Sequence, residues 1–202
     1  MKNSNALKIS LAAMFAAVIS ISGFFKIPLG PVPVVLQNVV CLLCAVLTGG
    51  IFAATPVALF LVAGLIGLPV FSGGTSGLAV FAGPTGGFLI GYLTGSIMAG
   101  IIAGTPSVEE KKITSKTVVK ITVAVLAGLV LMYIPGVIHF SKWAEHFAKV
   151  PENTTAFKHT LKVCVLPFIP GDIIKSIIAV ITALKVRPVL ASYLYSGKKG
   201  ND

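Results

Sequence analysis

Apolar residues run along this chain in long stretches separated by short breaks of turn chemistry. About 20 residues carry a helix across ~30 Å of hydrocarbon. On that measure the stretches predict membrane helices over roughly 7–25, 34–50, 52–69, 84–104, 118–140 and 162–184. Pro28, Gly30, Pro31 and Pro33 divide the first two, and Thr48-Gly49-Gly50 divides the second from the third. A glycine-rich loop follows Pro69, carrying Gly73, Gly74, Gly77, Gly83, Gly86 and Gly87. The clearly polar connections are residues 105–117 and 141–161. No internal repeat is evident. The expectation is an all-α integral membrane protein of six transmembrane helices, forming one domain over residues 1–202.

Composition agrees with the pattern. The chain is 55% hydrophobic and 11% charged, against about 25% charged residues in soluble domains. Residues 27–108 contain no Asp, Glu, Lys or Arg. The net charge of +10 does not indicate nucleic acid, because the basic residues lie at the ends of apolar stretches. The basic, then apolar, N-terminus resembles a signal peptide but reads as a retained first helix, since the apolar run is long. With both termini cytoplasmic, the inner side carries Lys2, Lys8, Lys111, Lys112, Lys116, Lys120, Lys185, Arg187, Lys198 and Lys199. The outer side then carries Lys26, Lys142, Lys149, Lys158 and Lys162, and the bias favours that orientation.

One acid breaks the apolar pattern. Asp172 lies in Leu166-Pro167-Phe168-Ile169-Pro170-Gly171-Asp172-Ile173-Ile174-Lys175, whereas Glu109, Glu110, Glu145, Glu152 and Asp202 fall in polar connections or the tail. A carboxylate inside a membrane segment costs ~2.5–3.5 kcal/mol on insertion scales and is usually paired and functional. Lys175, three residues on, shares its helix face. A helix restarting at Gly171 or Asp172 would set the carboxylate at the positive end of the helix dipole. Taking Lys185 as the inner end of the helix, Asp172 lies ~20 Å above it, in the outer half of the bilayer. The pair reads as a binding site for a small polar molecule open to the outside; the bland alternative is a self-neutralising structural pair.

A second constellation is Phe71-Ser72-Gly73-Gly74-Thr75-Ser76-Gly77 with Gly83-Pro84-Thr85-Gly86-Gly87-Phe88. Its glycines expose backbone N–H groups and its hydroxyls supply polar contacts, yet the Gly-Lys-Ser/Thr ending of a nucleotide loop is absent. A ligand-free re-entrant turn is an equal reading. Gly87, Gly91 and Gly95 form a small-residue stripe for close helix packing. Ala12, Ala13, Ala16 and Ala17 make a flat face on the first helix, for this chain or for a partner. Cys41 and Cys44 sit in an apolar helix without an activating charge, and His139, His146 and His159 do not make a metal-ligand set.

With these elements in place the chain resembles the BioY family, the biotin-binding S components of energy-coupling factor transporters. The matching blocks are Pro33-Val34-Val35-Leu36-Gln37-Asn38, Gly64-Leu65-Ile66-Gly67-Leu68-Pro69-Val70-Phe71, Gly83-Pro84-Thr85-Gly86-Gly87-Phe88 and Phe168-Ile169-Pro170-Gly171-Asp172-Ile173-Ile174-Lys175. The resemblance implies an S-component-like bundle of six membrane helices and biotin as the transported ligand, with no cofactor. It implies substrate contacts at Asp172, Lys175, Phe71, Gly73, Gly74, Thr75, Gly86 and Gly87. It further implies docking of the first helix, through Ala12, Ala13, Ala16 and Ala17, to a transmembrane coupling subunit served by two cytoplasmic ATPases. Leu89 stands where some members carry Arg; if that Arg pairs the biotin carboxylate, this chain handles the carboxylate differently.

On this reading Asp172 accepts from the ureido N–H groups and Lys175 donates to the ureido carbonyl or the carboxylate. The apolar middle of the ligand lies against Phe71, Val80 or Phe81, and the loop from Gly73 to Gly87 closes over it. The alternative is a self-contained ion-coupled permease using Asp172 as a cation site, which the lack of an inverted repeat disfavours. An aspartyl intramembrane protease is excluded by the single carboxylate.

Overall fold

The computed structural model describes residues 2–28, 32–148 and 150–195. The helices are α1 (Lys2–Ser22), α2 (Gln37–Thr48), α3 (Thr55–Leu65), α4 (Leu78–Ala82), α5 (Gly86–Ala103), α6 (Ser115–Phe147), α7 (Ala156–Cys164) and α8 (Ile169–Tyr195). Short 3-10 turns at Ile51–Ala54 and Val108–Lys111 connect them. Helical residues occupy each of the six apolar stretches, the last of them divided between α7 and α8, and the loop after Pro69 contains the short helix α4. Gly30 and Pro31 of the proline-rich break, Lys149, and the tail residues Lys198, Lys199 and Asp202 fall outside the described residues.

Several boundaries differ from the sequence expectation for identifiable reasons. α1 ends at Ser22 rather than 25, and Lys26–Ile27 (β1) pairs antiparallel with Val34–Val35 (β2), so the fold is not wholly α. Ile27, directly ahead of Pro28, is extended, as the residue before a proline prefers. The polar connections are shorter than expected. α6 begins where Thr114 accepts from the Thr117 amide, and it runs on to Phe147 because Phe140 and Ala144 still have a buried face to pack. The last stretch divides in two. Thr155 caps α7 by accepting from the Lys158 amide, a turn occupies 165–168, and α8 restarts at Ile169, two residues before the expected start. Pro170 is tolerated there because a first-turn residue needs no amide hydrogen. α8 then runs ten residues past Lys185, to Tyr195.

Two described helices, α5 and α6, are long and apolar enough to cross a membrane alone. The α7–α8 pair, bent by 51°, makes a third candidate if taken as one broken span. Burial along α8 is inside out relative to a soluble protein. Asp172, Ser176, Ala179 and Ala183 face inward, whereas Ile173, Ile174, Ile177, Ile178 and Ile181 are exposed. In water those isoleucines would be a liability; against lipid they are the favourable outer surface.

The small-residue stripe lies at the α5–α6 crossing, the most extensive helix pairing in the fold. A Cβ on Gly91 would stand 2.2 Å from the Met132 carbonyl, and one on Gly95 2.4 Å from that of Gly128, so neither position accepts a side chain. A single apolar cluster joins α1, α2, α3, α5, α6 and α8 through residues such as Ile19, Leu42, Phe60, Ala99, Val125 and Ala183. A smaller cluster at one end holds Val32, Phe140, Ala144, Cys164 and Phe168.

Arg187, expected as a free flanking charge on the inner side, is fully buried. Its Nε meets Glu110 Oε2 at 2.8 Å, and its Nη2 donates to Glu110 Oε1 at 3.0 Å, to the Ala103 carbonyl at 3.0 Å and to the Gly104 carbonyl at 3.2 Å. Its Nη1 donates to the Val46 carbonyl. One guanidinium therefore satisfies carbonyls at the C-terminal ends of α2 and α5, where the helix dipole is negative.

Candidate functional site

At the end of the bundle opposite Arg187 a cavity of about 370 Å³ opens between the β1–β2 ribbon, α2, the 71–85 loop, α5, α6 and the start of α8. That volume lies within the usual range of small-ligand pockets. Its walls are mostly apolar, with Phe71, Val80, Phe88, Leu89, Met132 and Phe168 prominent. Phe71 is held by edge-on rings, Phe60 at 5.4 Å and Phe81 at 5.7 Å between centroids. Phe81 therefore stands behind Phe71 and outside the lining, whereas Val80 is in it.

The polar part of the cavity is one network built across three helices. Asp172 is in the first turn of α8, with its amide bonded to the Phe168 carbonyl at 2.8 Å. Its Oδ1 pairs with Lys175 Nζ at 2.5 Å and accepts from Asn38 Nδ2 of α2 at 3.0 Å. Its Oδ2 accepts from the Tyr133 hydroxyl of α6 at 2.5 Å. Lys175 Nζ also donates to Asn38 Oδ1 at 2.9 Å and to the Val35 carbonyl at 3.1 Å. An ammonium has three protons, and all three are matched here. The carboxylate is 3% exposed, which a charge tolerates only with such compensation.

The network sorts its members by access. Asn38, Tyr133 and Lys175 line the cavity, while Asp172 lies behind them and fixes their orientation. Beside the same cavity Gln37 Nε2 donates to the Ile19 and Val70 carbonyls at 3.1 and 2.9 Å. Gln37 Oε1 and Ser72 Oγ are buried there without a partner among the described residues.

The glycine-rich loop divides in the same way. Phe71, Ser72, Thr75, Gly83, Pro84 and Thr85 line the cavity. Gly73 and Gly74, both at positive φ, form the turn that closes the Phe71–Thr75 bridge, and the Gly73 amide donates to the Gly23 carbonyl at 2.9 Å. Gly86 and Gly87 open α5 away from the cavity, Gly86 packed on the Phe81 carbonyl and Gly87 on Pro135 and His139. These four glycines shape the wall rather than lining it. On α1 the alanine pattern splits too. Ala12 is buried and Ala16 half-buried against the core, but Ala13 and Ala17 are exposed beside Ile9, Met14, Val18 and Ile21.

Sequence reasoning did not single out Asn38, Tyr133 or Lys26 as parts of this site. Asn38 had a usable signal: two adjacent amides, Gln37 and Asn38, open an otherwise apolar helix, and buried amides require partners. Tyr133 had none, since nothing local links it to an acid 39 positions away.

Comparison with known proteins gives a consistent result. The model of the BioY family matches residues 1–192. The biotin transporter BioY of Rhodobacter capsulatus is 35% identical over 184 residues, covering 90% of this chain and 92% of that protein. That of Thermotoga maritima is 31% identical over 176 residues, covering 87% and 93%. The crystal structure of the S-component for biotin from an ECF-type ABC transporter superposes with a TM-score of 0.75 at 32% identity, covering 93% of this chain and 94% of that one.

Proposed function

The chain belongs to the BioY family, and from that premise we propose how its cavity captures biotin for an ATP-driven uptake system. It is a membrane protein and the biotin-binding subunit of an energy-coupling factor transporter, a transport component rather than an enzyme. The observation that carries the reading is an apolar cavity with one compensated polar network, in a chain similar over nearly its whole length to a biotin S-component.

Biotin combines a ureido ring, an apolar thiophane with a valeryl chain, and a carboxylate. The ureido ring is the part suited to the Asn38–Tyr133–Lys175 floor. Tyr133 spends its proton on Asp172, so its oxygen keeps lone pairs for a ureido N–H. Asn38 Oδ1 accepts from Lys175 and retains a second lone pair for the other N–H. Asp172 acts one step back: its charge holds Lys175, Asn38 and Tyr133 in place before the ligand arrives, which lowers the ordering cost of binding. Thiophane and chain lie along Phe71, Val80, Phe88 and Leu89, and the 71–85 loop closes the outer side. A site with so few free polar groups rejects analogues that leave one unpaired.

For the assembly, the proposal is six crossings of the cell membrane with both termini cytoplasmic and the cavity toward the outside. The first helix docks to a transmembrane coupling subunit energised by two cytoplasmic ATPases. Equilibrium binding of radiolabelled biotin to the purified detergent-solubilised chain tests the receptor role, with nanomolar affinity expected. Uptake in vesicles tests the energy source. Accumulation driven by a proton gradient without any ATPase would overturn the coupling and leave a self-contained permease.

A further inference from the structure

Two cations reach the cavity, Lys175 and Lys26, and no carboxylate is among its lining residues. They differ in what they have left to give. Lys175 is half-buried and has each ammonium proton matched, to Asp172, Asn38 and the Val35 carbonyl. Binding a ligand carboxylate would cost it one of those bonds. Lys26 is exposed at the rim, and its ammonium has no hydrogen bond or ion pair with any described residue. Asp172 already balances Lys175, so the uncompensated positive charge of the cavity sits at Lys26.

The fold holds this lysine at the mouth. Lys26 is a strand residue of β1, in register with Val35 of β2, which itself lines the cavity and takes a proton from Lys175. Paired residues in an antiparallel ribbon stand about 4.5–5.5 Å apart at Cα, so the Lys26 stem starts beside the residue whose carbonyl accepts from Lys175. Gly73 makes room for it: a Cβ there would come within 2.1 Å of Lys26 Nζ. The amide of Gly73 is in turn fixed to the Gly23 carbonyl at 2.9 Å, so the loop turn and the lysine stem are packed as one piece of wall.

Resting on the biotin reading above, we propose that Lys26 is the residue that recognises the ligand's carboxylate. The ureido ring then points toward the Asn38–Tyr133–Lys175 floor and the valeryl chain toward the rim. This orientation places the ligand's only charge where water and an ammonium both reach it. The apolar atoms remain in the closed part of the cavity. A bare ammonium is a compact point charge, suited to a carboxylate that keeps some of its hydration.

The test compares biotin with its neutral amide, biotinamide, on the purified chain and on Lys26→Met and Lys26→Gln. The expected result is a loss of about tenfold in biotin affinity in both variants, as for one charge-assisted hydrogen bond. Biotinamide affinity should stay within about twofold of the wild type, and Lys26→Arg should restore biotin binding. Equal losses for acid and amide, or no loss for either, overturn the assignment while leaving the chain a biotin receptor. A folded wild-type chain that binds neither compound overturns the biotin reading itself, and Lys26 with it.

Discussion

Asn38 and Asp172 lie 134 residues apart in the chain and meet at 3.0 Å, the amide of α2 donating to the carboxylate of α8. The same amide accepts from Lys175 at 2.9 Å. Asn38 thus bridges both halves of the ion pair and ties the last helix to the second. The bridge needs a donor and an acceptor on one short stem, and the carboxamide supplies both on separate atoms.

Substitutions at Asn38 should therefore separate shape from chemistry. Asn38→Ala removes two hydrogen bonds to charged groups and is expected to weaken biotin binding at least tenfold. Asn38→Asp is nearly isosteric but turns a donor 3.0 Å from Asp172 into a second carboxylate oxygen. It is expected to be worse than Asn38→Ala, in both biotin affinity and melting temperature. Wild-type behaviour of Asn38→Asp in radiolabelled biotin binding would remove Asn38 from the network's function.

If Asp172 works by positioning its neighbours, its loss and the loss of those neighbours should not add. Asp172→Asn is expected to weaken biotin at least tenfold, ~1.4 kcal/mol. Tyr133→Phe removes the 2.5 Å bond to Oδ2 and the acceptor oxygen together, with a several-fold loss expected. The double variant should fall short of the product of the two effects by at least ~0.5 kcal/mol, the size of coupling seen for residues in one network. Strict additivity across the cycle would mean that the two groups act independently, and would return Asp172 to direct ligand contact.

What could be read without coordinates was local. An isolated acid with a lysine three residues on announced an ion pair, and the structure has it at 2.5 Å. Glycines at four-residue spacing announced a close helix crossing, which α5 and α6 make. The partners that complete each feature are distant in sequence and leave no local trace: Tyr133 for Asp172, Val35 for Lys175, Glu110 for Arg187. The β1–β2 ribbon was also hidden, because strands of two residues have no periodicity to detect. Charge counting treated Arg187 as a topology marker, whereas its neighbourhood of helix-end carbonyls is a product of the fold.

Arg187 offers a test of stability without function. It lies fifteen residues beyond Asp172 on α8, ~22 Å along the helix axis. Arg187→Ala leaves Glu110 unpaired and the carbonyls of Val46, Ala103 and Gly104 without their donor. Losing one partner of a buried pair costs ~3–5 kcal/mol. A marked drop in melting temperature in detergent is expected, with the biotin affinity of the folded fraction within about twofold. Arg187→Lys should fail to rescue, since one ammonium cannot span the same fork of acceptors. A wild-type melting temperature for Arg187→Ala would show that the pair contributes nothing net.

The split of the α1 alanines turns one docking expectation into two opposed ones. Ala12 is 1% exposed and Ala16 packs against the core, so leucines there must be absorbed inside the bundle. Overpacking of that kind costs ~1–3 kcal/mol, and Ala12→Leu with Ala16→Leu should lower both stability and biotin binding. Ala13 and Ala17 are exposed, one turn apart, on a face shared with Ile9 and Met14. A flat small-residue face allows a neighbouring helix to approach closely, and two leucines would hold it off by the depth of their side chains. Ala13→Leu with Ala17→Leu should therefore leave melting temperature and biotin affinity unchanged while sharply reducing ATP-driven uptake in vesicles reconstituted with the energising module. Full uptake by that variant would place the docking surface elsewhere on the molecule. Loss of biotin binding by the same variant would mean that α1 supports the cavity from its outer face as well.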